Sequence, residues 1–124
     1  MRKLKQDIKG IEINGIKYIP QDSIQVKPEI LENYVIVRTY SAGVFAGELH
    51  QKTGQEVVLM NARRLWMWAG AASLSQLAME GVSKPNECKF PCEVTKVTLL
   101  QAIEILPCTE IAMKSIKGVP VWKQ

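Results

Sequence analysis

The sequence predicts an α+β fold, in which an antiparallel sheet carries two short helices within a single domain. Short runs rich in β-branched and aromatic residues alternate with glycine-bearing connections, which is typical of strands joined by tight turns. Two segments in the second half begin with a hydroxyl side chain and end near a glycine, as short helices do. The chain has 124 residues, which is enough to bury one core.

Five strands are predicted. The runs "YVIVRTY" (34–40), "VFAGEL" (44–49) and "EVVLM" (56–60) predict an antiparallel meander whose turns are "SAG" and "HQKTGQ". The runs "EVTKVTLL" (93–100) and "AIEILPC" (102–108) predict two further strands.

The first third of the chain has a different character. "IEINGIKYI" (11–19) predicts a hairpin around Asn14-Gly15, because a type I′ turn needs positive φ at both central residues. Residues 20–33 contain two prolines and are expected to form a connection. Four basic residues cluster in the first ten positions, where we expect a solvated basic segment.

Capping patterns predict the two helices. Ser73 followed by Gln76 matches a capping box, and Gly81 is expected to end this first helix. Thr109 is expected to cap the second helix, which should end before Gly118. Helices this short are marginal alone, so each is expected to pack on the sheet or on another subunit.

Composition excludes several classes of protein. The chain is 47% hydrophobic and 23% charged, unlike a disordered chain. Its net charge of +4 mildly favours an anionic partner. It has neither the long apolar run of a membrane span nor that of a signal peptide. Three cysteines do not suggest a disulfide framework, so we expect a cytosolic protein with reduced thiols.

The segment "NARRLWMWAGAAS" (61–73) places two arginines beside two tryptophans. If it continues as a strand, Arg64, Trp66 and Trp68 share one face. Arg63, Leu65 and Met67 then share the other, and which arginine faces a ligand stays open. If it forms a helical turn instead, Arg64 lies beneath Trp68. Either geometry pairs a guanidinium with an indole, which suits a nucleotide phosphate and base. The alternative is a tryptophan pair packed in a core beside arginines in cation–π contact.

A second segment, "RTYSAGVFAG" (38–47), repeats this combination of arginine, aromatic side chains and bare backbone. Arg38 and Tyr40 precede a small-residue turn, and Phe45 follows it. The two segments together predict an anion- or nucleotide-binding site.

No catalytic or metal-binding constellation is predicted. The single histidine, His50, is expected in a solvated loop. Cys88, Cys92 and Cys108 do not have the usual zinc spacing and are expected to be buried free thiols. Nucleophile-elbow, zinc-protease, Walker and dinucleotide fingerprints do not occur in the sequence.

From Tyr34 onward the chain resembles the phage-encoded Thoeris anti-defence proteins of the first type. The resemblance lies in "YVIVRTYSAGVFAG", "NARRLWMWAGAASLSQLAMEG", "KFPCEV", "AIEILPCTE" and "SIKGVPVWK". It implies a viral, non-enzymatic inhibitor of the Thoeris defence that acts in the host cytosol and uses no cofactor. Such a protein sequesters, without cleaving it, the cyclic ADP-ribose isomer (glycocyclic ADP-ribose) that a TIR-domain enzyme makes.

The resemblance also implies a homo-oligomer built from dimers, with nucleotide pockets at the subunit interface and no membrane or nucleic-acid polymer as partner. Some members bind cyclic trinucleotides at a second site, and for this chain that question stays open. Two other functions stay open as well, a cyclic-nucleotide-degrading enzyme and a small phage nucleic-acid-binding protein. The expected ligand-binding residues are Arg38, Tyr40, Ser41, Gly43, Phe45, Asn61, Arg63, Arg64, Trp66 and Trp68.

Overall fold

The computed structural model describes residues 29–124, and their elements follow the predicted order. The strands are β1 (Ile30–Thr39), β2 (Val44–Thr53), β3 (Glu56–Arg64), β4 (Val94–Leu99) and β5 (Ala102–Thr109). The helices are α1 (Leu74–Glu80) and α2 (Glu110–Gly118), and a 3-10 turn spans Pro85–Glu87. The hairpin predicted over 11–19 and the basic segment over 1–10 lie outside the described residues.

The five strands form one sheet in the order β4-β3-β2-β1-β5, and every neighbouring pair is antiparallel. The α+β prediction is therefore confirmed, as is the meander of the first three strands. Single-domain architecture also fits, because one sheet carries both helices.

The sheet is curled, as its connections show. Strands β4 and β5 lie at opposite edges of the sheet, yet only Leu100 and Gln101 join them. Three Cα–Cα steps span at most about 11 Å, so the two edges must meet at this end. Backbone bonds close the junction: Tyr40 donates to the Gln101 carbonyl at 2.9 Å, and Ala102 donates to the Gln55 carbonyl at 3.0 Å.

The curl gives the sheet two buried faces, each with its own core. On the outer face the helices cover a cluster that includes Ile36, Leu77, Phe90 and Ile116. The concave face encloses a smaller cluster, formed by Val35, Val37, Phe45, Val57, Leu59, Ala62, Leu99 and Ala102. Because the centre of β1 is buried on both faces, its sequence there is a continuous apolar run instead of an alternating pattern.

Both helices begin where the capping residues predict. The Ser73 hydroxyl accepts from the Gln76 amide at 3.2 Å, and Gly81 ends α1 with φ +79. The Thr109 hydroxyl accepts from the Ala112 amide at 3.1 Å and also donates to the Met79 carbonyl at 2.8 Å. That second bond ties α2 to α1.

Several predicted boundaries are wrong by a few residues. Strand β1 begins at Ile30, inside the predicted connection, and β2 runs to Thr53, so that the turn to β3 is only Gly54 and Gln55. Helix α2 includes Gly118 instead of ending before it. Pairing with a neighbouring strand extends β1 and β2 through residues whose local propensity is low.

Candidate functional site

The turn between β1 and β2 is a rigid small-residue loop. The Thr39 hydroxyl donates to the Gly43 carbonyl at 2.7 Å and accepts from the Ala42 amide at 2.8 Å. Gly43 has φ +97, a conformation that a side chain would strain. The loop therefore presents the backbone of Ser41 and Ala42 in one fixed arrangement.

Arg64 is the last residue of β3 and faces this loop. It pairs with Phe45 across the sheet, and its guanidinium carbon lies 4.5 Å from the centroid of the Phe45 ring. Its Nη1 donates to the Ala42 carbonyl at 3.0 Å. Phe45 is buried, whereas Arg64 is exposed. A cation is thus held over an aromatic face at the rim of the concave core, with the rest of its fork open to solvent.

The chain leaves β3 after Arg64, and both tryptophans follow in an irregular segment. Trp68 is half-buried against the outer core, whereas Trp66 is 63% exposed. The segment is neither a continued strand nor a helical turn, yet both indoles reach the same side, as the strand alternative predicted. Leu65, just before Trp66, is buried, and its amide donates to the Val44 carbonyl at 2.8 Å.

These elements line one open groove of about 460 Å³. Its walls are Ser41, Ala42, Gly43, Val44, Arg64, Leu65, Trp66 and Trp68. The volume lies within the range of small-molecule sites. The groove combines one cation, two indoles and exposed loop backbone, which are groups that bind the phosphate and base of a nucleotide.

Arg63 does not belong to this groove. It is 4% exposed, and its guanidinium donates to four carbonyls: Pro91 at 2.9 Å, Ile116 at 2.8 Å, Phe90 at 3.1 Å and Pro120 at 3.2 Å. Burial lowers the pKa of Arg63 from its usual value. All three guanidinium nitrogens thus donate to backbone carbonyls of the interior. The expectation that Arg63 binds a ligand is therefore corrected to a structural role.

Two other expected residues lie apart from the groove. Asn61 sits in a β-bulge with φ +49, and its side-chain amide donates to Glu48 at 3.2 Å. Arg38 donates to Glu104 at 2.9 Å on β5. The amide and the guanidinium are each engaged by a carboxylate outside the groove lining, so the structure does not bring them to it.

Tyr40 and Phe45 lie near the groove but are not among the residues that line it. Tyr40 is 76% exposed beside the loop but does not line the groove. Phe45 is 4% exposed and acts through its ring, as the platform beneath Arg64. Ser41, Gly43, Arg64, Trp66 and Trp68 are therefore the expected residues that the structure places together.

Sequence reasoning missed three lining residues, Ala42, Val44 and Leu65. Ala42 contributes a carbonyl oxygen, which side-chain chemistry does not reveal. Val44 and Leu65 carry only packing surface and look like ordinary strand residues. Their position inside the two predicted segments was the available signal.

The thiols and the histidine do not add a reactive centre. Cys88 and Cys108 are buried, whereas Cys92 is exposed, which corrects the expectation that all three are buried. Burial raises the pKa of the Cys108 thiol to about 12. His50 lies exposed on β2 instead of in a loop. Among residues 29–124, no group of three or more potential ligands could hold a metal ion.

Comparison with known proteins gives a family assignment. Neither the curated proteins nor the solved structures contain a match to the chain. Within the described residues, no helix is long and apolar enough to cross a membrane. A family model, described as a domain of unknown function, matches residues 32–116. The match contains all five strands, apart from the first two residues of β1, and all of α2 except its last two residues. The chain therefore belongs to the DUF6948 family.

Proposed function

We propose that this protein binds a small nucleotide carrying a diphosphate and sequesters it without cleaving it, and that a cyclic ADP-ribose isomer is its ligand. The observation that carries the proposal is the position of Arg64. Its guanidinium is held over Phe45 and by the Ala42 carbonyl at the edge of a groove walled by Trp66 and Trp68. A pre-positioned fork binds phosphate without first losing the freedom of a long side chain.

The choice of ligand combines this geometry with the sequence resemblance to Thoeris anti-defence proteins. A cyclic ADP-ribose isomer offers an adenine for the indoles and a diphosphate for the guanidinium. Sequestration requires tight binding and no reactive group. Micromolar to nanomolar dissociation constants correspond to about −8 to −12 kcal/mol, more than one stack and one ion pair supply. In this account the defence signal is captured in the host cytosol by a phage- or prophage-encoded protein.

Enclosure by a second copy would supply the remainder. The groove is open on one chain, and exposed apolar side chains adjoin it at Trp66, Met67, Val121 and Trp122. Helix α2 exposes Ile111 at 63%. We therefore include assembly from dimers in the proposal, with these residues near the interface. A light-scattering mass equal to one chain at micromolar concentration would contradict this part.

Equilibrium dialysis tests the binding claim with three probes: cyclic ADP-ribose, ADP and adenosine. If Arg64 binds the diphosphate, adenosine should bind more weakly than ADP, and Arg64→Ala should remove that difference. Lys114→Ala is the matched control for loss of a positive charge, since Lys114 is exposed on α2 and paired with Glu110 at 3.0 Å. A preference for adenosine over ADP would contradict the proposed role of Arg64.

The same assay addresses the nucleic-acid alternative. A single-stranded DNA oligonucleotide should bind poorly and should not compete with cyclic ADP-ribose. Tight binding of the oligonucleotide with a steep decrease as salt rises would instead favour a polymer-binding protein.

A further inference from the structure

Trp122, near the end of the chain, does not line the groove but packs against a residue that does. Its ring and that of Trp66 are nearly parallel, with centroids 6.4 Å apart and an interplanar angle of 15°. The Lys89 ammonium lies 5.6 Å from the centroid of the Trp122 ring. Lysine and the two indoles thus form a continuous stack that ends at the groove wall.

Backbone hydrogen bonds fix the position of Trp122. Its amide donates to the Phe90 carbonyl at 3.0 Å, and Phe90 also forms a parallel bridge with Val121. One residue earlier, Lys89 exchanges two backbone hydrogen bonds with Met67, at 2.8 and 3.3 Å. The segment containing Lys89 and Phe90 therefore joins the two tryptophan-bearing segments side by side.

Arg63 reinforces the same arrangement from the interior. Its Nη2 donates to the carbonyls of Phe90 and Pro120 at 3.1 and 3.2 Å. These residues flank the segment that carries Trp122. The buried arginine thus holds together the backbone segments that carry Lys89 and Trp122, two members of the stack.

Trp66 needs such support because little else restrains it. It is 63% exposed, and an indole with that much surface in solvent would sample several side-chain rotamers if it were unsupported. Contact with a backbone-anchored ring restricts those rotamers before a ligand arrives. Restriction in the unbound protein lowers the ordering cost of binding.

We propose that Trp122 is a positioning residue for the groove: it holds the Trp66 indole so that a purine base stacks on Trp66 as the next ring of the series. This inference rests on the proposed function, because it assigns the purine to Trp66 and the diphosphate to Arg64. It adds a residue on the last strand-like segment of the chain to the ligand-binding apparatus.

The test begins without ligand. Two stacked indoles give an exciton couplet in circular dichroism, which should be present in the wild type and lost in both Trp66→Ala and Trp122→Ala. Trp122→Phe keeps an aromatic ring at this position. Ile103→Ala on β5 is the control for loss of an exposed apolar side chain outside the groove lining and the proposed interface. Melting temperatures of all variants establish that each is folded.

Binding of cyclic ADP-ribose is then measured for the same variants. Trp122→Ala should weaken binding roughly tenfold, within the range for loss of one base stack. Trp122→Phe and Ile103→Ala should bind nearly as the wild type does. When Trp66→Ala and Trp122→Ala are combined, their losses of binding free energy should not add, because Trp122 acts through Trp66.

Three results would overturn the inference alone, provided that Arg64→Ala still weakens nucleotide binding. They are a wild-type affinity in folded Trp122→Ala, additive losses when Trp66→Ala and Trp122→Ala are combined, and a Trp122→Phe variant as weak as Trp122→Ala. Failure of the wild type to bind any nucleotide probe would instead overturn the proposed function.

Discussion

Arg63 and Arg64 are consecutive residues of β3 whose guanidinium groups lie on opposite faces of the sheet. The Arg63 side chain enters the interior, where it donates to four backbone carbonyls beneath the helices. The Arg64 side chain lies over Phe45 at the rim of the concave face. Alternation along one strand thus gives two adjacent, chemically identical side chains different surroundings, one buried among backbone carbonyls and one at the rim of the groove.

The first prediction follows from this contrast. Arg64→Ala should lower nucleotide affinity by at least about 1.5–3 kcal/mol, the worth of a hydrogen bond to a charged group, with little change in melting temperature. Arg63→Ala should lower the free energy of unfolding by about 3 kcal/mol or more. The reason is that it leaves several buried carbonyls without a hydrogen-bond donor, and each such carbonyl costs about 1–3 kcal/mol. Chemical denaturation and dialysis measure the two quantities on the same samples.

Each variant of this pair is the control for the other, since both remove one arginine from neighbouring positions. Arg64→Lys adds a finer test: it keeps the charge but not the fork, so affinity should recover only in part. Equal destabilisation by both alanine substitutions would contradict the separation of roles.

The second prediction concerns Thr109, which is 1% exposed and both caps α2 and bonds the end of α1. Thr109→Val keeps the shape but removes the hydroxyl, so the free energy of unfolding should fall by about 2 kcal/mol or more. Thr109→Ser keeps the hydroxyl and should cost about 1 kcal/mol, for the lost methyl group. If urea denaturation finds the two variants equally stable, the hydroxyl does not join the helices.

The third prediction concerns the close approach of β2 and β3 at the bulge. A Cβ on Gly47 would lie 2.9 Å from the Ala62 Cα, so Gly47→Ala requires the backbone to shift. We expect a loss of about 1–3 kcal/mol, as for an overpacked core. Gly118→Ala is the control, because a Cβ there meets no atom within 4 Å. In thermal unfolding, the midpoint of Gly47→Ala should lie below that of the wild type, whereas the midpoint of Gly118→Ala should not. Equal midpoints for the two variants would contradict the tight packing.

The fourth prediction concerns alkaline pH. Burial raises the pKa of Cys108 from 9.0 to about 12, so the unfolded chain loses this proton at lower pH than the folded chain does. The associated stability is fully present below pH 9 and is lost as pH rises toward 12, by up to about 1.4 kcal/mol per pH unit. Cys108→Ala should show a shallower decrease in this window.

Tyr34 is buried and also has its pKa raised, chiefly by burial and next by the charge of the Cys108 thiolate. Cys108→Ala removes that second cause, so the Tyr34 contribution should shrink as well and make the decrease shallower still. Denaturant unfolding at several pH values gives the two slopes. Parallel curves for wild type and Cys108→Ala would show that the Cys108 thiol titrates alike in both states.

Much of the fold was predictable because it depends on local signals. The caps at Ser73 and Thr109 set the helix starts, and β-branched runs set the strand centres. The curl of the sheet was not predictable, since it arises from the pairing of distant strands around the two-residue link between β4 and β5. For the same reason the concave core could not be foreseen from any single strand.

The candidate site was predictable in its chemistry but not in its orientation. Alternation required that Arg63 and Arg64 differ, yet nothing local indicated which one faces inward. The deciding carbonyls belong to Phe90, Pro91, Ile116 and Pro120, which are distant in sequence. The same distance hid Trp122, whose contact with Trp66 depends on the pairing of Phe90 with Val121.

The central claim is capture of a nucleotide without chemistry, and its most direct test is recovery of the ligand. Purified protein is incubated with cyclic ADP-ribose isomers, separated from free ligand, heated to unfold it, and the released species are identified by mass and by retention time. The account predicts that the cyclic species is depleted from solution in proportion to protein and is released intact, whatever the incubation time. Time-dependent conversion to a linear or otherwise altered product would contradict it and indicate an enzyme.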